Sequence, residues 1–272
     1  MDVVLAVMTD SPYRSSVAKF AEDFAGRIKG RVQVLSPAQL AGHRGEMSSH
    51  TNADDRHLDT AELDAEHEVE RFAGNAAPPI EGHWVLGPPV KECVKGMAEC
   101  DFGVVGKTLI GKLPAGQGLG HQVVQLKRSC TKPLVIVPEE VRPIRKVLFV
   151  YTDHPEAGHA LALAPPLSES GTEIILFAAI PSLGREELRG TGSAYLQQHR
   201  VSHRTVESDF SDCAADGGGA GPVGQVLHLV HQEDIDLVLM GGTRRGYVSR
   251  MMWPEMAYEV AWNIQVPLLI WY

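Results

Sequence analysis

Short aliphatic runs alternate with amphipathic stretches along the whole chain. The first run, residues 3–8, precedes residues 13–28, where apolar side chains recur at helical spacing until Gly30 ends the stretch. Strands are predicted at residues 3–8, 32–35, 81–86, 102–105 and 134–137. Helices are predicted at residues 13–28, near 58–74, from Gly87-Pro88-Pro89 onward, and at 119–130. Because strands alternate with helices, we expect parallel strands joined by right-handed crossovers.

The same pattern returns in the second half of the chain. Residues 4–12 and 147–155 share the pattern Val-Leu-x-Val-x-Thr-Asp-x-Pro, and three further landmarks follow in the same order in both copies. They are Gly87-Pro88 with Gly221-Pro222, residues 101–108 with 236–243, and residues 133–136 with 267–270. Strands of the second copy are predicted near residues 145–151, 173–179, 202–207, 236–241 and 267–271. We infer a duplicated unit, with domains at residues 1–138 and 144–272 and a short charged linker between them.

Each copy is therefore predicted to be an α/β unit with an open, parallel, five-stranded sheet and helices on both faces. Aromatic residues make up only 6% of the chain, so the core is left to Val, Leu, Ile and Ala, which suits buried parallel strands. Residues 41–57 and 208–221 are poor in aliphatic side chains and are predicted to be loops. A glycine-rich loop is predicted at residues 106–118.

Charge and cysteine content narrow the function class. A formal net charge of -9 argues against a nucleic-acid binder and against docking on anionic lipid. The N-terminus carries Asp2 where a secretory signal needs basic residues, and no apolar run approaches the roughly 18–20 residues of a membrane span. The four cysteines form no Cys-x-x-Cys pair, which favours free thiols in a reducing compartment. We expect a cytoplasmic protein with no nucleic-acid and no membrane partner.

A candidate ligand site lies where the predicted strands of the first copy end. Open parallel sheets bind ligands beyond the carboxyl ends of their strands, at the point where the strand order reverses. Glycines there let backbone N–H groups approach a phosphate, a helix N-terminus attracts anions, and a lysine adds a point charge. The candidate nucleotide-binding residues are Thr9, Asp10, Gly106, Lys107, Thr108, Gly111, Gly120 and His121.

The Gly106-Lys107-Thr108 triplet does not complete a P-loop. That motif needs a glycine five residues before the Gly of Gly-Lys-Thr, and Asp101 stands there. No catalytic or metal-binding motif appears elsewhere, so we predict no catalytic residue, no metal and no flavin.

Taken together, the landmarks resemble the universal stress protein family, twice and over nearly the whole chain. The residues that carry the resemblance are Gly87-Pro88-Pro89, residues 101–106 and 133–137, and their partners Gly221-Pro222, 236–241 and 267–270. The resemblance implies a tandem of two Rossmann-like (HUP-type) domains. It also implies that the last strands, residues 134–137 and 268–271, pair between the copies as an intramolecular pseudo-dimer, which would hide their edges.

ATP-binding members of that family carry Gly, two residues, Gly, nine residues, then Gly and a small hydroxyl residue. The first copy departs from this pattern at Gly111 and His121. The second copy departs further, with Arg244 at the second glycine and Pro254-Glu255 at the third glycine and the hydroxyl residue. The acid that the family has after the first strand is replaced by Met8 and Tyr151. We therefore expect the second copy to have lost nucleotide binding.

Three functions stay open at this point. The first is a stress-response binding protein that holds ATP or AMP in the first copy. The second is a nucleotide-free scaffold or sensor that acts through protein partners, whose identity the sequence does not reveal. The third, an enzyme that uses an adenine nucleotide, ranks last because no general base or metal cluster is recognisable at the predicted site. Homodimerisation of the whole chain also stays open.

Overall fold

A computed structural model describes the predicted strands and two of the four helices that the pattern predicts. It describes residues 2–8, 12–38, 81–86, 89–107, 132–151, 155–178, 185–206, 222–241 and 253–271. The strands in these ranges are β1 (Val3–Val7), β2 (Arg31–Ala38), β3 (Glu81–Leu86), β4 (Phe102–Gly106), β5 (Leu134–Val137), β6 (Lys146–Tyr151), β7 (Glu173–Ala178), β8 (His203–Val206), β9 (Leu237–Gly241) and β10 (Leu268–Trp271). The helices are α1 (Arg14–Arg27), α2 (Pro89–Met97), α3 (Pro155–Leu161), α4 (Ala164–Glu169), α5 (Arg185–Gln198), α6 (Pro222–Gln232) and α7 (Trp253–Asn263).

All ten strands belong to one sheet, in the order β3-β2-β1-β4-β5-β10-β9-β6-β7-β8. The first five strands, here called the N-half with their helices, have the order 3-2-1-4-5. The last five strands with their helices are here called the C-half. Counted from the outer edge inward they have the order β8-β7-β6-β9-β10, which is the same order as in the N-half. Neighbouring strands within each half are parallel. The predicted α/β fold class, with parallel five-stranded units in tandem, is therefore confirmed, while the domain limits 1–138 and 144–272 stay a prediction.

The two halves join through their last strands, as the family resemblance implied. Strands β5 and β10 are antiparallel, with Leu268 opposite Ile136, Leu269 opposite Val135 and Ile270 opposite Leu134. Each of these strands has one parallel neighbour in its own half and would otherwise leave its second edge unpaired. Pairing between the halves satisfies both edges at once and makes one continuous sheet.

Two layers of helices cover the two faces of this sheet, and each face carries a core that runs through both halves. On one face the buried helix residues are Phe20 and Phe24 of α1, Leu161 of α3, Leu167 of α4 and Leu196 of α5. On the other face they are Cys93 and Met97 of α2, Val226 and Leu229 of α6, and Val260 of α7. Strands buried on both faces have to be aliphatic throughout, which is why the sequence pattern located them well.

Two repeated aspartates pin the first strand of each half to the fourth. The Val3 N–H donates to Asp101 Oδ2 at 2.9 Å in the N-half. In the C-half Asp236 Oδ2 accepts the N–H groups of Arg145 and Lys146, both at 2.9 Å. These aspartates stand at the amino ends of β4 and β9, opposite the predicted ligand edge. Their recurrence in the sequence therefore has a structural reason.

The remaining element predictions differ in outcome. Strand β2 is longer than the predicted 32–35 and runs through Pro37, because β3 continues to pair with it beyond the last residue that β1 covers. The loops at 41–57 and 208–221 and the helices near 58–74 and at 119–130 lie outside the described residues, as does the 106–118 loop after Lys107. Within the described ranges, no helix is long and apolar enough to cross a membrane.

Candidate functional site

The strand order of the N-half reverses between β1 and β4. From β1 the chain moves outward to β2 and β3, whereas from β4 it moves the other way to β5. The register pairs Ala6 with Val104, so Met8 and Gly106, each two residues further on, lie level at the carboxyl edge. The structure thus brings together the two strand ends from which the sequence predicted a ligand site.

Met8, the first residue after β1, is used for packing. Its side chain is buried in the core on the face covered by α1, with 6% of its surface exposed. Its N–H donates to the Leu35 carbonyl of β2 at 2.8 Å. The position where the family resemblance expects an acid therefore extends the hydrophobic core and offers no charge to a ligand.

Lys107, the first residue after β4, reaches across the junction into the C-half. Its ammonium donates to the Trp262 carbonyl at 3.1 Å and to the Ile264 carbonyl. Both carbonyls lie at the C-terminal end of α7, where the helix dipole favours a cation. Burial lowers the pKa of Lys107. Sequence reasoning missed this contact, because no local signal marks partners that are 155 and 157 residues away.

The corresponding edge of the C-half carries an aromatic ring. Tyr151 ends β6, and the register that pairs Val150 with Met240 puts it level with Gly241 of β9. The ring lies close to Gly192 of α5, where an added Cβ would come within 3.3 Å of Tyr151 Cδ1. Burial raises the pKa of the Tyr151 phenol above its ordinary value. An aromatic ring packed against a helix is a poor place for a phosphate.

Of the eight candidate residues, the structure describes Gly106, which is buried at the end of β4, and Lys107. Thr9, Asp10, Thr108, Gly111, Gly120 and His121 lie outside the described residues. The nucleotide site as a whole therefore stays a prediction. No group of three or more His, Cys, Asp and Glu side chains that could hold a metal ion occurs in the described part of the chain.

A separate pocket of about 330 Å³ lies at the amino edge of the C-half, beneath the linker between the halves. Its lining comes from the linker, the end of α6 and the turn before β10. Arg142 holds the linker in place by donating to Asp234 Oδ1 at 2.7 Å and to the Ile235 carbonyl at 2.8 Å, and by pairing with Asp236. Each of the three guanidinium nitrogens of Arg142 has a partner in these contacts, so Arg142 fixes the linker to the C-half.

Comparison with known proteins supports the fold. No protein-family model and no curated protein matches the chain by sequence. Among solved structures, a universal stress protein from Archaeoglobus fulgidus DSM 4304 aligns with 98% of this chain and 97% of its own length, with 18% identity and a TM-score of 0.71. A protein of unknown function from Pseudomonas aeruginosa PAO1 aligns with 100% of this chain and 92% of its own, with 13% identity and a TM-score of 0.58. A protein from Pseudomonas aeruginosa UCBPP-PA14, assigned to the universal stress proteins, aligns with 100% of this chain and 93% of its own length, with 14% identity and a TM-score of 0.57.

The predicted resemblance is thus confirmed at the level of the fold. The structural match covers both halves of the chain. At these sequence identities it shows a shared fold and not a shared function.

Proposed function

We propose that this protein is a non-catalytic binding protein of the universal stress type, with one adenine-nucleotide site at the carboxyl edge of the N-half. The observation that carries the proposal is the reversal of strand order between β1 and β4, which sets Met8 and Gly106 side by side at that edge. ATP or AMP is the ligand class, since a glycine-rich segment follows Gly106 in the sequence.

Loss of the ligand site in the C-half belongs to the same proposal. The first strand of the C-half ends in Tyr151, whose ring lies against Gly192 of α5. The residue at the end of this strand is therefore used for packing and offers no charge to a phosphate. We therefore propose a binding stoichiometry of one nucleotide per chain.

A cytoplasmic role in the stress response is the cellular part of the proposal. It is supported by Cys100, which is buried and forms no disulfide. Thiols that form no disulfide are typical of proteins in a reducing compartment.

One observation favours the second function, a nucleotide-free scaffold or sensor that acts through protein partners. Lys107, the only candidate with a charged side chain in the described ranges, gives its ammonium to two carbonyls of the C-half. With Met8 buried as well, the described part of the edge offers little to a phosphate. In that case the edge serves to hold the halves together.

Calorimetry of the full chain with ATP and with AMP separates the two functions, together with the ultraviolet spectrum and mass analysis of the purified protein. We expect either one bound nucleotide per chain or co-purified adenine nucleotide. A clean apo protein that gives no heat with either ligand would overturn the nucleotide proposal and leave the scaffold.

The Lys107→Met variant then assigns the lysine, because methionine keeps much of the apolar stem and removes the charge. If the ammonium contacts phosphate, we expect affinity to fall at least about tenfold, the value of one charged hydrogen bond. If it only caps α7, affinity stays and the melting temperature falls. Lys91→Met, at an exposed position of α2, is the matched control and should change neither quantity.

A further inference from the structure

A serine and a histidine form a hydrogen-bonded pair at the outer end of the C-half, away from the proposed nucleotide site. Ser193 lies in α5, and His203 is the first residue of β8, the last strand of the sheet. Ser193 Oγ is 2.7 Å from His203 Nε2. The other ring nitrogen, His203 Nδ1, is 3.1 Å from the Val201 carbonyl oxygen.

The carbonyl contact determines which way the proton points. A carbonyl oxygen only accepts, so the proton of the neutral imidazole sits on Nδ1 and is donated to Val201. Nε2 is then a bare acceptor, and the short contact requires the Ser193 hydroxyl to donate to it. A helical serine more often bonds back to a carbonyl of its own helix. Here its proton is aimed at a base, as in an activated nucleophile whose base is oriented by a third group.

Both members of the pair also reach the protein surface. Ser193 and His203 are both partly exposed. Gly190 lies three residues before Ser193 and therefore on the same face of α5, where serine side chains lean. Among the residues that the structure describes, no atom lies within 4 Å of a Cβ placed at Gly190. A larger side chain at this position can therefore be used to probe access to the hydroxyl.

The geometry points to Ser193 as a nucleophile, with His203 as its general base, toward acyl or phosphonyl electrophiles that carry a good leaving group. Ser193 Oγ attacks the electrophilic carbon or phosphorus and forms the new O–C or O–P bond. The hydroxyl proton passes to His203 Nε2, and the bond to the leaving group breaks as that group departs with its electron pair.

Because Ser193 lies inside a helix, the reaction should stop after one covalent modification. The N–H groups of α5 near Ser193 are committed to the helix, so they do not form an oxyanion hole. We therefore expect a single covalent modification of Ser193 by activated reagents, with no rapid turnover.

An alkyl fluorophosphonate tests this on the full-length protein, because its serine adduct is stable and fluoride is the leaving group. Intact-mass and peptide mapping should find one phosphonyl group per chain, on Ser193. Ser193→Ala should abolish it, and His203→Gln should slow it at least about tenfold, since a general base contributes about 10²–10⁴-fold. Ser202→Ala removes an exposed neighbouring hydroxyl and should leave the rate unchanged.

Gly190→Leu provides a test that keeps both members of the pair. It adds a side chain beside Ser193 and should slow labelling at least about fivefold without lowering the melting temperature. Gly26→Leu is the matched control, because a Cβ there also meets nothing within 4 Å and the residue lies in α1 of the other half.

Three results would overturn the inference: no adduct on the native protein, adducts that persist in Ser193→Ala, or an equal rate in His203→Gln. If His203→Gln proves unstable by circular dichroism, the rate in Gly190→Leu decides instead.

Discussion

The N-half and the C-half share a strand order yet differ in their first helix. The N-half has one helix of 14 residues, α1, whereas the same stretch of the C-half is divided into α3, of 7 residues, and α4, of 6 residues. Pro165 and Pro166 lie just after the break and lack the N–H groups that would bond to Leu161 and Ala162 in a continuous helix. Both versions still cover the same face of the sheet. Topology therefore depends on which face is apolar more than on an unbroken helix.

The halves differ most where their strands end. At the carboxyl edge the N-half has buried Met8 and the cross-junction lysine, Lys107, while the C-half has the packed ring of Tyr151. The interior of the sheet is similar in both. The strands are aliphatic in both halves because both faces of the sheet are buried, whereas the residues that follow the strands pack differently in the two halves.

Contacts between the halves reach beyond the shared strands. Arg27 of α1 donates to Thr172 Oγ1 at 2.9 Å and to Ser170 Oγ at 3.3 Å, just after α4. The Ile144 N–H, just after the linker, donates to Asp23 Oδ2 at 2.8 Å. These contacts explain why the two halves should unfold as one unit, and the junction is the first place to test that.

Breaking the shared sheet should have the largest effect. Val135 is fully buried at the centre of β5, opposite Leu269 of β10. Val135→Asp puts a carboxyl group there without a partner, and we expect a loss of about 4 kcal/mol or more in the free energy of unfolding. Urea unfolding followed by circular dichroism measures it. A variant that unfolds at the native midpoint would show that the halves do not depend on this junction.

Asp101 and Asp236 should contribute differently to the free energy of unfolding. Asp236 is 5% exposed, accepts two backbone N–H groups and pairs with Arg142, whereas the Asp101 side chain is 46% exposed and accepts one N–H. Asp236→Ala should cost about 3 kcal/mol, because it leaves two N–H donors without their acceptor and removes one of the two carboxylates that pair with Arg142. Asp101→Ala should cost about 1 kcal/mol. Equal losses in urea unfolding would contradict this ranking of the two halves.

The turn after the first helical stretch has the same backbone conformation in both halves but different residues. Lys29 and Gly171 occupy it in the two halves, with φ of 56° and 84°. Gly171→Ala should lower the free energy of unfolding by about 1 kcal/mol, since a Cβ is strained in this conformation. Gly158→Ala in α3, where a Cβ meets nothing within 4 Å, should instead stabilise by up to about 1 kcal/mol. Melting curves that shift in the same direction for both variants would count against the strain argument.

The smallest effect concerns alkaline pH and Cys100, which stands before Asp101 as Ile235 stands before Asp236. Burial, followed by the charge of Asp101, raises the pKa of Cys100 from 9.0 to about 11. Between these values the unfolded thiol loses its proton and the folded one keeps it, so stability is complete below pH 9 and falls as the pH rises through 11. Cys100→Ala should flatten this part of the curve of melting temperature against pH. An unchanged slope would mean that other groups cause it.

Much of the site lies beyond prediction from local pattern, and the particular misses show why. Gly106 was expected at a strand end and is found there, because an aliphatic run that ends in glycine is a local feature. Lys107 stays a candidate phosphate contact, and its bonds to the Trp262 and Ile264 carbonyls come from a distant part of the chain that no local pattern marks. The break between α3 and α4 does have a local signal, Pro165-Pro166. The Ser193–His203 pair had none, since a serine and a histidine ten residues apart are unremarkable in a sequence.

The local sequence pattern was enough to locate the strands and to reveal the duplicated unit, whereas the pairing of the last strands was expected only from the family resemblance. A strand buried on both faces must be aliphatic along its length, so every residue of the strand carries the signal. Only the tertiary structure decided which polar side chains find each other, such as Lys107 with α7 and Arg142 with Asp236. A hydrogen bond depends on the direction of two side chains brought together by the whole fold, and no local period in the chain records that direction.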